Sequence, residues 1–231
     1  MPTIIDEEFG KITLRRSAKA THVRIRVGPD GRLRASLPLY APAFLVKRLL
    51  KNSREQLRAM LHEQYDEALY EHGMQIGKSH TLIVRSTSNS HVSAKRHGQQ
   101  IIISLPEGTS LEDTDTTRIV RDAVIEALRL EAKSYLPKRL SYLASSYGFS
   151  YERVRFSHAS GRWGSCSTSG TISLNIALMK LPFELIDYVI IHELSHTREM
   201  NHSTDFWQLV ESADPHYQIH RRALKKESPS I

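Results

Sequence analysis

Cysteine is almost missing from this chain of 231 residues: Cys166 stands alone. No intramolecular disulfide can therefore brace the fold, and a reducing compartment is expected. Long apolar runs are missing as well. No stretch approaches the roughly 18 residues that a membrane-spanning helix needs, and the opening MPTIIDEEFGK lacks a basic region followed by an apolar one. These absences predict a cytoplasmic protein with no membrane segment. Low-complexity tracts and sequence repeats are absent too, and only the residues after about Lys225 read as disordered.

Acidic residues are in shorter supply than basic ones, 25 against 32, which leaves a formal charge of +7. The shortfall is confined to one half. Residues 1–110 hold 17 Lys and Arg against 10 Asp and Glu, while residues 111–231 hold 15 of each. A polyanion, nucleic acid or nucleotide, is the partner such a surplus would attract, and a plain solvated basic face is the alternative. The same contrast divides the chain into a basic N-terminal region of hairpins and helices, 1–110, and a second region, 111–231. With 40% apolar residues, the length suffices for a buried core in one domain or two.

What the second region does have is histidine in a metal-binding pattern. Residues 192–196 read H-E-x-x-H, and His202 follows. Positions i and i+4 of a helix share a face, so His192 and His196 can present ring nitrogens to one ion about 2.0–2.1 Å away. Glu193 lies about 100° round the helix from His192. From there it can reach a water beside the ion without ligating it, which suits a general base. Random order of 12 His and 16 Glu would yield only about 0.04 such motifs.

The helix has support of its own. Pro182 suits a first helical position, Glu184 and Asp187 lie towards the positive end of the dipole, and Leu185, Ile186, Val189, Ile190 and Leu194 supply a broad apolar surface. His202 cannot join along the same helix, because six residues rise about 9 Å. The helix must end before it, with Asn201 as a left-handed terminator and Ser203 capping a further helix that carries Phe206, Trp207, Leu209 and Val210. His158, His216, His220, Glu211 and Asp214 are other candidates for a third ligand, and Cys166 as a fourth would close the site and make the metal structural.

Residues 162–175, RWGSCSTSGTISLN, and residues 182–207, PFELIDYVIIHELSHTREMNHSTDFW, resemble the YgjP-like metallopeptidase family, a zincin-like group related to SprT-like proteases. The resemblance is strongest over residues 154–207. It implies an α+β fold, a zincin-like domain whose HExxH helix packs on a small sheet, preceded by the β-rich basic region. It also implies zinc held by His192, His196 and His202, with Glu193 catalytic, and it places Arg162 near the site. One related pattern is not met: metzincins have glycine midway between the second and third histidines, where this chain has Glu199.

Along the rest of the chain, periodicity predicts a meander of residues 11–16, 22–27 and 32–37 with the turn Gly28-Pro29-Asp30-Gly31. Arg24, Arg26, Arg32 and Arg34 would then line one face. Residues 42–71 read as two helices broken at Asn52-Ser53, with Ser53 and Gln56 spaced as a capping box and Leu57, Met60, Leu61, Ala68 and Leu69 as an apolar stripe. Gly73 to Ser79 has glycines, a lysine and a serine like a phosphate loop. It is one residue short, and it leads into a strand, residues 81–85, rather than a helix. A hairpin is expected over residues 91–105, and a helix over 114–147 that Pro137 should kink or split and Gly148 should end. That helix is expected behind the histidine helix. Residues 154–160 and 171–175 read as short strands around a loop, 161–166, and 171–175 is the expected sheet edge for an extended peptide.

These readings converge on a zinc metallopeptidase that cleaves peptide bonds. One alternative keeps the metal and takes nucleoside triphosphates as a pyrophosphatase, an activity described for some members of the family the chain resembles. Another is a nucleic-acid-associated protein whose zinc is structural.

Overall fold

Alternating apolar and charged residues build a first sheet from β1 (Thr3–Asp6), β2 (Gly10–Arg16), β3 (Arg24–Val27) and β4 (Leu33–Leu37). The computed structural model describes residues 2–28, 32–66 and 70–231. Residues 29–31 of the expected turn, and Ala68 and Leu69 of the expected stripe, lie outside them. The strand order is β1-β2-β4-β3, with β2 and β4 parallel, so the expected meander is not formed. The hairpin of β3 with β4 is present, but β4 sits between β2 and β3. Burial explains the order: Leu33, Ala35 and Leu37 of β4 are buried beside Ile12 and Leu14 of β2, whereas Ile25 and Val27 of the edge strand β3 are only half-buried. Arg24, Arg26 and Arg34 occupy the opposite, exposed face. Two helices, α1 (Phe44–Asn52) and α2 (Arg54–Asp66), complete this core through Val46, Leu50 and Leu57. Ser53 separates them, and its N–H donates to the carbonyls of Leu49 and Leu50.

A second four-stranded sheet follows: β5 (Gln75–Ile76), β6 (His80–Thr87), β7 (Ser93–His97) and β8 (Gln100–Pro106), in the order β5-β6-β8-β7, with β6 and β8 parallel. One four-strand plan is thus used twice, although the sequence shows no repeat. The Gly73–Ser79 stretch contains β5 and leads into β6 rather than a helix, so it is no phosphate loop. Its N–H groups nevertheless hold an anion, and the anion is the protein's own. Lys78 N–H and Ser79 N–H donate to the buried Glu131 carboxylate at 2.6 and 2.9 Å, joined by Ser79 Oγ at 2.8 Å and His80 Nδ1 at 2.6 Å. Burial alone would raise the Glu131 pKa, but these donors outweigh it and hold it below the usual value. Gly77, at φ +61°, keeps its α-carbon bare because a Cβ would stand 2.2 Å from Glu131 Oε2.

Glu131 belongs to α3 (Thr114–Tyr147), which Pro137 does not split and which ends at Gly148 with φ +69°. Proline inside a helix costs about 3 kcal/mol. Leu136 and Leu140 on either side are fully buried, each worth about 1.5–3 kcal/mol, and so hold the helix together. Against α3 pack β7, β8, β9 (Arg153–Ser157), the 3-10 turn Ile176–Lys180 and α4 (Phe183–Ser195). The Arg139 guanidinium grips Asp187 of α4 with two hydrogen bonds, of 2.7 and 2.6 Å. As expected, α3 stands behind the histidine helix.

The third sheet has the order β10-β11-β9, from β10 (Gly164–Cys166), β11 (Thr171–Asn175) and β9. Two expectations are corrected here. Residues 164–166 are a strand rather than loop, and residues 171–175 are the middle strand, not the edge. The fully buried Ile172, Leu174 and Asn175 give β11 its central place, while the half-buried Gly-Ser-Cys of β10 lies outside it. The chain closes with α5 (Thr204–Ala213) and α6 (Tyr217–Leu224). The latter buries no residue, so no apolar stripe announces it. The end expected to be disordered is anchored: Ile231 is buried, and Lys180 Nζ donates to the Ser230 carbonyl at 2.7 Å.

The architecture is mixed α+β. Its compact units are Met1–Tyr70 and Glu71–Ile231, so the sheet of β5 to β8 belongs with the histidine helix rather than with the basic region to residue 110. Glu131 and α3 secure it there. Among the described residues no helix is long and apolar enough to cross a membrane.

Candidate metal centre

The last turn of α4 carries His192 and Glu193, and His196 closes the helix. Leu185, Ile186, Val189, Ile190 and Leu194 are buried, which fixes the rotation of the helix and so the direction of the histidines. The chain then reverses without a left-handed residue, since no described non-glycine residue has positive φ, Asn201 included. Side chains and carbonyls make the turn instead. Thr197 donates to the Leu194 carbonyl through both N–H (2.9 Å) and Oγ1 (2.7 Å), and Glu199 N–H donates to the Ser195 carbonyl at 3.0 Å. Ser203 caps α5 by accepting from Phe206 N–H at 3.3 Å. That helix brings Phe206 face-on to His196, 4.5 Å between centroids, and Trp207 onto His202 at 5.6 Å.

His192, His196 and His202 are thereby gathered, with one ring nitrogen of each inside a sphere of mutual distances below 4.8 Å. His192 Nε2 lies 3.1 Å from His202 Nε2, close to the roughly 3.3 Å separating two ligands of a tetrahedral zinc at 2.0–2.1 Å. Proton placement also fits a metal. His196 Nδ1 is 3.0 Å from the Glu199 carbonyl, which can only accept, so Nδ1 bears a hydrogen and Nε2 is the nitrogen left to ligate. Burial first, then His196, His202 and Arg221, push His192 down to about 3. Burial, His196 and Arg221 lower His202 as well. Near pH 7 both rings are neutral, the form that ligates. Two buried atoms here, His192 Nδ1 and Glu193 Oε2, have no hydrogen-bond partner. Such atoms are rare, and the orphaned Glu193 oxygen fits a site that takes a further group.

Glu193 is buried with its carboxyl against β10, where a Cβ on Gly164 would stand 2.6 Å from Oε1. Glycine at 164 is thus a condition for the carboxyl's position. Burial pushes the Glu193 pKa up to about 8, while the Arg162 charge draws it down. Arg162 is held in range by Asn175, the asparagine ending β11. Its fully buried amide donates to the carbonyls of Ala159 (2.7 Å) and Arg162 (2.9 Å), and its Oδ1 accepts from Ala177 N–H at 3.0 Å. Asn175, Gly164 and Arg221 escaped the reading of the sequence. Asn175 falls outside the buried phase set by Ile172 and Leu174, so alternation gives no signal for it, and local sequence carries none for the others.

The remaining ligand candidates stay out. Among the described residues the three histidines form the only group of three or more metal-binding side chains, without Cys166, His158, His216, Glu211, Asp214 or His220. His220 Nδ1 pairs instead with Asp214 at 2.7 Å. Burial, then the Glu193 charge, raise the Cys166 pKa, so this thiol stays protonated.

Known proteins were compared with the chain. A family model described as YgjP-like, metallopeptidase domain, matches residues 21–227. No curated protein matches. Among solved structures, the chain is similar to the metallopeptidase zymogen of Pyrococcus abyssi abylysin, with 28% identity over 39% of this chain and 92% of that one. The TM-score of that match is 0.36.

Proposed function

Because this chain belongs to the YgjP-like metallopeptidase family, we propose that it is a zinc peptidase of the zincin type, with His192, His196 and His202 as ligands and Glu193 as general base. The family supports a metal-dependent peptidase with a peptide or protein substrate. The observation that carries the finer reading is the gathering of three imidazoles beside one buried carboxyl. Such a donor set suits zinc better than magnesium or calcium. When bound, zinc supplies a Lewis acid that polarises a carbonyl and makes water acidic near neutral pH.

The protein's own part is proton handling and positioning. As the carboxylate, Glu193 Oε2 takes the proton of the attacking water, and the burial that favours its protonated form helps it hold that proton until the leaving amine receives it. Gly164 gives the carboxyl room, and β10, as the sheet edge, supports pairing with an extended peptide. The structural-zinc alternative needs a fourth ligand, and Cys166 lies outside the group.

The test is hydrolysis of unfolded protein, short peptides and nucleoside triphosphates by zinc-loaded parent and Glu193→Gln protein. Peptide cleavage that falls about 10²- to 10⁴-fold in the variant, with zinc content unchanged, is the expected result. Loss of triphosphate turnover alone would make the protein a nucleotide pyrophosphatase. Zinc binding with no turnover of anything would favour a nucleic-acid-associated protein with a structural metal.

A further inference from the structure

Two clefts of the second unit meet at α6. One, of about 390 Å³, is lined in part by Arg162, Trp163, Arg221, Leu224, Lys225 and Glu227. The other, of about 340 Å³, shares Arg221 and Lys225 and adds Arg222 and Tyr217. The first cleft thus sets three cations beside Glu227, and the second adds a fourth cation, Arg222. Among the described residues none of the four has a carboxylate within ion-pair distance, in contrast to Arg139 on Asp187 and Arg54 on Asp6. Arg162, Arg221 and Lys225, without a carboxylate partner and lining one cleft, are arranged for an anion that arrives from outside.

The clefts adjoin the metal centre on two sides. Trp163 directly precedes Gly164, on which the Glu193 carboxyl rests. The Arg221 guanidinium lies 4.4 Å above the Trp207 ring, and that ring stacks on His202. Trp163 and Trp207 thus connect the lining of the cleft to the base and to the third histidine. The charge of Arg162 reaching Glu193, and that of Arg221 reaching His192 and His202, agree with this proximity.

We infer that this basic cleft is a substrate subsite that takes a carboxylate of the peptide, held by Arg162, Arg221 and Lys225 with the residue's hydrocarbon part against Trp163 and Leu224. The inference rests on the peptidase reading and adds a substrate class to it. A single carboxylate suits the first cleft, where Glu227 already offsets one of three cations. A polyphosphate would meet that carboxylate. The carboxylate has two sources, the α-carboxylate of a C-terminus and an acidic side chain.

Occupancy is measurable without turnover, since Trp163 and Trp207 are the chain's two tryptophans and both adjoin the cleft. Zinc-loaded Glu193→Gln protein is titrated, by tryptophan fluorescence, with one five-residue peptide as free acid, as C-terminal amide, and as amide with an internal Asp; ATP is titrated in parallel. At least one carboxylate form should bind about 10- to 100-fold more tightly than the neutral amide, and the form that does so identifies the source. Arg221→Gln and Lys225→Gln together should bring the ratio to within about threefold, with zinc content and melting temperature unchanged. Equal binding of all three peptides, or selectivity that survives the double substitution, overturns the subsite. So does ATP binding more tightly than every peptide and losing that affinity in the double variant, which would make the cleft a phosphate site. Hydrolysis by the parent distinguishes the two readings: cleavage without carboxylate preference sinks the subsite alone, and carboxylate-selective binding without cleavage sinks the peptidase alone.

Discussion

Gly164→Ala places one methyl group against the proposed general base. No positive φ is recorded at Gly164, so alanine costs the backbone nothing and only the added Cβ matters. That atom would lie 2.6 Å from Glu193 Oε1, 2.7 Å from Cγ and 2.9 Å from Cδ. Ordinary contact begins near 3.4 Å, so the carboxyl must retreat by about 0.8 Å, within a site where Glu193 is only 6% exposed. Overpacking of this kind costs about 1–3 kcal/mol, which lowers the melting temperature by about 2–4 °C per kcal/mol in a protein of this size. A displacement approaching 1 Å costs roughly 10²-fold in rate. We expect kcat to fall about 10- to 100-fold with zinc content intact. Gly161→Ala, in the loop before β10, meets nothing within 4 Å and should leave both quantities alone. Adding Glu193→Asp to Gly164→Ala shortens the side chain by one methylene and should restore stability but not rate. Parent-like kcat in Gly164→Ala would refute the claim that the carboxyl must lie against β10.

Four further outcomes are expected. In metal-free protein the raised Glu193 pKa means that its contribution is fully present below about pH 4.5 and is lost as pH rises through about 8; chemical denaturation should show Glu193→Gln gaining several kcal/mol on the parent across that window, and a flat difference would contradict the buried carboxyl. His202→Ala should lower zinc affinity at least tenfold and Cys166→Ala should not change it, so elemental analysis showing the reverse would exchange their roles. Glu131→Gln should lower stability by about 1–3 kcal/mol, since donors from Lys78, Ser79 and His80 converge on one charged carboxylate; an unaltered denaturation midpoint would show that the turn does not need the charge. Replacing Arg24, Arg26, Arg32 and Arg34 with Ser should weaken salt-dependent retention on heparin, and unchanged elution would return that exposed face to plain solvation.

What the sequence by itself determined is what depends on neighbours a few residues apart. The i, i+4 spacing of His192 and His196 places both on one face of any helix, and the rise to His202 demands a turn, whatever the rest of the chain does. Ser203 as a cap, the break at Ser53, the end at Gly148 and the alternating faces of β3 and β4 are likewise local, and all are seen. Tertiary structure decided the rest, because it depends on segments that meet only after folding. The place of β4 between β2 and β3, and of β11 between β10 and β9, follows from which strand buries more once sheets and helices pack, and alternation within one strand is silent about its neighbours. Pro137 stays within α3 because Leu136 and Leu140 are buried by other elements. Glu131 finds Lys78 and Ser79, the Glu193 carboxyl finds Gly164, and Arg221 reaches the wall of the metal centre across chain separations that leave no periodic trace. The histidines that could hold the metal were therefore legible in one stretch of sequence, while the groups that orient the base and line the basic cleft had to be seen in three dimensions.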